Sequence, residues 1–209
     1  VTVASGTQQN FPMLFNTTAD WLKTTSTDAT NGRIQNVNGW DLAFSNSLPV
    51  ADGNKWNCNT TPHEIERYTS STGEMVAWFK AATTTASQVY YACYGDSTIS
   101  STQEASSSVW NSGYRGVWHL NQRTTSTGAY VIDSTSNANN ATSSGAFFPV
   151  ASSTAQIDGA QSFDGSNDRV TAPDSASLDA GNLKTISAWV YPRETGRGDY
   201  VGKWVNQGV

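Results

Sequence analysis

The sequence predicts an all-β protein built from antiparallel β-sandwich or jelly-roll units, with almost no helix. Three observations carry that expectation. Short runs of alternating apolar and polar residues recur along the chain, the pattern of strands half-buried against a core. Clusters of Ser, Thr, Asn and Gly, the usual turn formers, separate these runs. Aromatic residues make up 11% of the chain, with 8 Trp, 8 Tyr and 7 Phe. That is too many for a chain that stays unfolded, and rings of this kind pack well on a pleated surface.

In chain order, the pattern predicts strands over residues 11–16, 41–45, 63–69, 74–80 and 88–94. Further strands follow at 114–120, 129–132, 160–163, 168–172, 184–191 and 200–205. The third and fourth form a hairpin, because Ser70-Ser71-Thr72-Gly73 is a four-residue loop closed by glycine, a common hairpin connection. The fifth is expected to extend this hairpin into a three-stranded meander, stopped by Gly95-Asp96. The polar stretch 97–108 lacks any pattern and reads as a linker between a first unit, 1–96, and a second, 109–209. A helical turn is expected only around Gln103–Ser106.

A net charge of −5, a pI near 4.8 and only 14% charged residues make a poor partner for phosphate backbones, so nucleic acid is not expected. No apolar run approaches the roughly 20 residues that cross a bilayer, so membrane insertion is not expected in this segment. The chain begins at Val1 without an initiator Met or signal peptide and reads as a processed piece. Three sequons stand at Asn16, Asn59 and Asn140. They would carry sugar in an exported protein, and they also arise by chance in an Asn- and Thr-rich chain. The two cysteines, Cys58 and Cys93, match no metal-binding spacing. They are read as a single disulfide if the protein is secreted, with two buried free thiols as the alternative. Cys58 precedes one predicted strand and Cys93 lies near the end of another, so the two can meet at a sheet edge. Pairing them would close a loop of about 35 residues, worth roughly 3–4 kcal/mol.

The first unit resembles the family called domain of unknown function 2341 over about residues 9–96. The carriers are Asn10-Phe11-Pro12-Met13-Leu14-Phe15, Trp40-Asp41-Leu42-Ala43-Phe44, Pro62-His63-Glu64-Ile65-Glu66, Met75-Val76-Ala77-Trp78-Phe79-Lys80 and Val89-Tyr90-Tyr91-Ala92-Cys93-Tyr94-Gly95. Cys93 stands where that family has an apolar or aromatic residue, a departure that favours a disulfide with Cys58 particular to this protein. The second unit is similar to the start of a laminin-G-like, concanavalin-like lectin domain. Its carriers are Gly116-Val117-Trp118-His119-Leu120, Ser162-Phe163-Asp164-Gly165-Ser166-Asn167-Asp168-Arg169-Val170, Pro173-Asp174-Ser175-Ala176-Ser177-Leu178 and Thr185-Ile186-Ser187-Ala188-Trp189-Val190-Tyr191-Pro192. The resemblance implies two-sheet sandwiches at a microbial cell surface, with roles in adhesion or glycan binding. A jelly roll needs at least eight strands, and only about six are counted after residue 109. The sheet is therefore expected to pair with the first unit, or to be completed by a further segment or a neighbouring chain.

For chemistry, Glu64 and Glu66 form the most enzyme-like pair, two apart on one predicted strand and so on one face. They are about 6–7 Å apart along the strand, and no other predicted strand supplies a matching acid. The expectation is a solvated charged face. The acidic string that concanavalin-like glycosidases carry on a strand is not found. His63 is read as a surface residue and His119, between Trp118 and Leu120, as structural, so no catalytic residue is assigned. The turn Asp164-Gly165-Ser166-Asn167-Asp168 is rich in oxygen donors. Lectin-like relatives often hold a structural calcium near such loops, with Asp164 and Asp168 as its ligands here; the same residues are ordinary turn formers. Asp133, Asn137 and Asn139 form a second such turn. Trp110, Tyr114, Trp204 and Asn206 are placed in or near turns where a sugar could bind, and Trp78, Trp118 and Trp189 in the core, with Trp21, Trp40 and Trp56 undecided. No single ligand-binding residue is assigned.

Together these readings predict a non-catalytic, extracellular surface protein with lectin-like adhesion to glycans or surface proteins. One alternative is a structural subunit pairing with copies of itself through strand edges to form a filament or coat. Another is an accessory binding module of a secreted glycosidase.

Overall fold

The computed structural model describes residues 7–53, 55–85, 88–121, 129–143, 149–153, 155–179, 181, 183–193 and 199–203. It is all-β, and every strand ladder in it is antiparallel. The strands are β1 (Gln8–Thr18), β2 (Ala43–Ser45), β3 (Val50–Asp52), β4 (Lys55–Asn57), β5 (Thr60–Thr61), β6 (His63–Thr69), β7 (Glu74–Thr84) and β8 (Tyr91–Cys93). One helical turn, α1 (Ser106–Val109), precedes β9 (Ala129–Val131), β10 (Ala141–Ser143), β11 (Val150–Ser152) and β12 (Ala160–Ser162). The chain divides into a compact unit, Val1–Asp179, and a second unit, Ala180–Val209.

Two three-stranded sheets, ordered β1-β7-β6 and β5-β2-β8, face each other across the main core. Period-two alternation on β7 places Met75, Ala77, Phe79 and Ala81 toward that core, all buried. Phe44 of β2 stacks on Phe79 at 4.7 Å and meets Phe15 of β1 edge-on at 5.3 Å. Leu22, Ile34 and Leu42 complete the cluster from the irregular stretch between β1 and β2. The β6–β7 hairpin turns through Gly73 at φ +71°, where any Cβ would lie 2.1 Å from the Ala19 carbonyl oxygen. Only glycine fits that position.

The expected meander is not what forms. The long β1 already occupies the outer edge of β7, so Tyr91–Cys93 crosses to the other sheet and pairs with β2. The disulfide Cys58–Cys93 then ties the chain entering β5 to β8, on the far side of β2, with a Cα–Cα separation of 6.4 Å. That separation lies within the usual range for a bridged pair.

The second face of the β1-β7-β6 sheet is also covered. Trp78 of β7 and Glu64 of β6 are register partners and project there, against Trp110 and His119 from the chain after α1. The stretch read as a linker meets this sheet: the Ile65 N–H donates to the Glu104 carboxylate at 2.6 Å, and the Ala105 N–H to the His63 carbonyl at 2.9 Å. These bonds occupy the outer edge of β6.

The predicted strand at 114–120 is reduced to a single bridge between Trp118 and Asp133, and that at 168–172 to one between Thr171 and Thr142. In the second unit the described residues of 184–191 form no ladder, and Trp189, expected in a core, is 76% exposed. Trp204 and Asn206 lie outside the described residues.

Candidate functional site

A cleft of about 690 Å3 opens between β6, the 104–107 turn, His119, Asn121 and residues 132–135. Its wall holds Glu64, Glu66, His119, Asn121 and Ser134. The geometry begins with a bulge in β6. Glu64 pairs with Trp78 and Ile65 with Ala77, then Arg67 pairs with Val76, which leaves Glu66 as the extra residue. An inserted residue shifts the in–out alternation by one. Glu64 and Arg67 thus share the face away from the main core with Trp78 and Val76, and the unpaired Glu66 reaches that face too. Tyr68, opposite Met75, returns to the main core, where its hydroxyl donates to the Leu22 carbonyl at 2.6 Å.

These side chains form one connected network. Glu64 accepts from the Ser134 hydroxyl at 2.6 Å and from the Trp110 indole N–H at 2.9 Å. His119 places Nε2 at 3.3 Å from Glu64 Oε2 and Nδ1 at 3.2 Å from Glu66 Oε2. The Trp78 indole N–H donates to the same Glu66 oxygen at 2.8 Å. The Asn121 amide donates to Asp158 at 2.8 Å, and the Arg67 guanidinium lies 2.7 Å from Asp158 and 2.6 Å from Glu74. The Glu66 side chain is only 2% exposed and that of His119 10%. The expected solvated charged face is therefore corrected: Glu64 and Glu66 are buried beneath the chain after α1, and a histidine joins them. His63, expected on the surface, projects to the main core against Phe44, 2% exposed.

Two residues of this neighbourhood adopt left-handed backbone without being glycine, Leu120 at φ +59° and Asp158 at φ +48°. With the bulge at Glu66, three backbone irregularities converge on one cluster. Such features collect where the surrounding structure enforces a particular side-chain arrangement.

The electrostatics follow from burial and pairing. Burial pushes Glu64 up, but the hydrogen bond and charge of His119, with the Ser134 and Trp110 donors, prevail and hold its carboxyl below the usual glutamate range. For Glu66 burial wins over the pull of His119 and Trp78, and its affinity for a proton rises. Burial lowers His119, yet the Glu64 hydrogen bond and the charges of Glu66, Glu64 and Asp158 carry it above the usual histidine range. For His63 burial outweighs the charge of Glu104 and the Thr61 backbone hydrogen bond and holds it below that range.

In this arrangement each carboxylate and both imidazole nitrogens already have protein partners. The rim of the cleft is different in kind: Ser106 and Ser107 supply hydroxyls, and Ile132, 49% exposed, supplies an apolar surface. Trp110, expected in a sugar-binding turn, is instead buried under the network with Tyr114 edge-on at 5.2 Å. Trp56 is exposed on the β3–β4 hairpin.

The two oxygen-rich turns close on themselves. Asp164 Oδ1 accepts the Ser166 and Asn167 N–H groups, which hold its carboxyl below the usual range, and Asp168 accepts the Asp164 N–H. Asp133 is buried and gathers the N–H groups of Val117, Thr135 and Asn139 with the Thr135 hydroxyl, while Asn137 and Asn139 donate to the Arg115 carbonyl. Both shapes are held by backbone donors, and among the described residues no group of three or more His, Cys, Asp or Glu is placed to hold a metal ion. Of the sequon residues, Asn16 and Asn59 are exposed. Asn140 is half-buried and accepts the Asp133 N–H through Oδ1. No helix among the described residues is long and apolar enough to cross a membrane.

The fold thus defines an all-β protein with a disulfide and a polar cleft. Compared with family models, with curated proteins and with solved structures, the chain matches none.

Proposed function

We propose that this chain is a non-catalytic, extracellular surface protein that binds a hydroxyl-rich ligand, a cell-surface glycan, in the cleft between β6 and residues 132–135. The carrying observation is the contrast between floor and rim. The acidic and imidazole groups of the floor are tied to one another, whereas the rim offers hydroxyls beside an apolar contact, a combination that suits sugar recognition. The Cys58–Cys93 disulfide fits an oxidising, extracytoplasmic compartment. The resemblances to domain of unknown function 2341 and to laminin-G-like lectins support the same reading.

The test is a glycan array with the parent chain and with Ser107→Trp, which fills the cleft from an exposed position. Binding by the parent and its loss in the variant is the expected result. Equal binding by both places the ligand elsewhere, and turnover of a bound glycan refutes the non-catalytic reading.

A second reading, a subunit of a surface filament or coat, is favoured by the second unit. There Leu183, Ile186, Trp189, Val190 and Tyr191 are exposed, although the run has the composition of a buried strand. Regular polymers under the electron microscope without ligand would move it to first place. A monodisperse 22 kDa species by light scattering would remove it.

A further inference from the structure

We infer that His119 is the pin of a proton-dependent clamp that holds residues 117–121, residues 131–135 and the Asp158 turn on β6, and that the clamp loosens when His119 loses its proton. Both imidazole nitrogens face carboxylate oxygens, Nε2 toward Glu64 at 3.3 Å and Nδ1 toward Glu66 at 3.2 Å. A neutral imidazole donates from one nitrogen only and presents a lone pair at the other. With both carboxylates ionised, only the imidazolium satisfies both contacts. Its ring also lies against two indoles, Trp78 at 6.0 Å and Trp110 at 5.9 Å, the surroundings that favour a cation. Those same indoles donate their N–H groups to Glu66 and Glu64, so cation, carboxylates and rings form one closed cage.

The charged groups facing the cage come from every element around it. β6 supplies Glu64, Glu66 and Arg67, and β7 supplies Glu74, paired with Arg67. The turn before β12 supplies Asp158, also paired with Arg67. Glu104 lines the same cleft, but its carboxylate accepts the Ile65 N–H and the Thr102 hydroxyl. Asp133 is occupied by its own turn. His63 projects to the opposite face of the sheet. Arg67 serves Asp158 and Glu74, so His119 is the cation between Glu64 and Glu66.

The sign follows from the raised affinity of His119 for its proton. A group bound more tightly by its proton in the closed form stabilises that form fully below the open-state value, about 6.5 for histidine, and loses the contribution as pH rises through the closed-state value. Glu66, whose proton affinity burial also raises, keeps the same direction. The Glu64 carboxylate, held low, sets the acid limit: its contribution is present above about 4.5 and fades as pH falls through its closed-state value. The clamp is therefore fully closed from the acid limit set by Glu64 up to about 6.5, and it opens as pH rises through the higher closed-state value of His119. It stands whatever the cleft binds.

The experiment is amide hydrogen exchange on the whole chain, read by NMR from about pH 6 to about pH 9 and corrected for the intrinsic pH dependence of exchange. In the parent, protection at Val117, Ser134, Thr135 and Asn139 should fall above a single midpoint, by up to about tenfold per pH unit, the limit for release of one proton. Phe44 and Phe79 in the main core should not follow. His119→Gln should abolish the midpoint. Glu66→Gln, which keeps the shape of the side chain, should move the midpoint to lower pH, because it removes one of the charges that hold the proton. A parent profile that is flat over this range, or a midpoint that Glu66→Gln leaves in place, overturns the proposal.

Discussion

Removing the Glu64 carboxylate is the sharpest test of the buried network. Glu64→Ala deprives the Ser134 hydroxyl and the Trp110 indole of their acceptor, at 2.6 and 2.9 Å, and leaves His119 with Glu66 alone. The side chain is 11% exposed, so water replaces little of what is lost. A hydrogen bond to a charged group contributes about 1.5–3 kcal/mol, and breaking a buried ion pair from one side costs about 3–5 kcal/mol. These contributions overlap because they concern one carboxylate, so the expected cost is about 3–5 kcal/mol rather than their sum. Glu64→Gln keeps one acceptor and loses the charge, and should cost about 1–3 kcal/mol. The assay is urea unfolding followed by tryptophan fluorescence near pH 6, where Glu64 is ionised and His119 protonated. At about 2–4 °C per kcal/mol for a chain of this size, Glu64→Ala should also melt some 6–20 °C lower. A midpoint change equivalent to less than about 1 kcal/mol, with unchanged slope, would mean that water reaches the carboxylate and that the cage is not dry.

Two further perturbations address the main core. Replacing Cys58 and Cys93 together by Ser should lower stability by about 3–4 kcal/mol, from the 35-residue separation that the disulfide closes; reductant should bring the parent to the same urea midpoint and leave the variant unmoved. Phe44→Ala removes a ring packed between Phe79 and Phe15 and should cost about 3–5 kcal/mol, with loss of near-ultraviolet circular dichroism.

Much of the fold was readable in the sequence because the main core follows period-two alternation. His63–Thr69 is a strand at the predicted bounds, and the hairpin closes at Gly73. The crossing of Tyr91–Cys93 to the other sheet was not readable, since strand partners depend on which edges other segments already occupy. The same logic explains the site. Glu64 and Glu66 were identified as a pair on one face, but a lone alternating strand looks solvated on its charged side whether or not another layer covers it. The cover comes from Trp110 and His119, 46 and 55 residues later than Glu64, and nothing local to β6 announces it. The bulge at Glu66 is equally silent, although Tyr68 held a clue. A large aromatic with the parity of two glutamates fits a half-buried strand poorly unless the alternation shifts between them.

A buried ionic network also raises the question of whether it stabilises the fold or fixes its arrangement. Replacing Glu64, Glu66 and His119 together, by Leu, Met and Leu, separates the two. The triple variant leaves no unpaired charge; its penalty is the orphaned donors of Trp78, Trp110 and Ser134, about 1–3 kcal/mol each. Each single truncation instead breaks the buried ionic network from one side, at about 3–5 kcal/mol apiece. The triple variant should therefore fall several kcal/mol short of the sum of the singles in urea unfolding, the non-additivity expected of groups acting as a unit. Its cost should also be insensitive to pH on the alkaline side, because the titrating pair is gone. Additive costs would mean that the three residues act independently. If the short sum is accompanied by broadened amide resonances over residues 117–121 and 131–135, the network's contribution is to hold one register of those residues on β6. Sharp resonances would return that role to Trp78 and Trp110, whose ring contact persists without the charges.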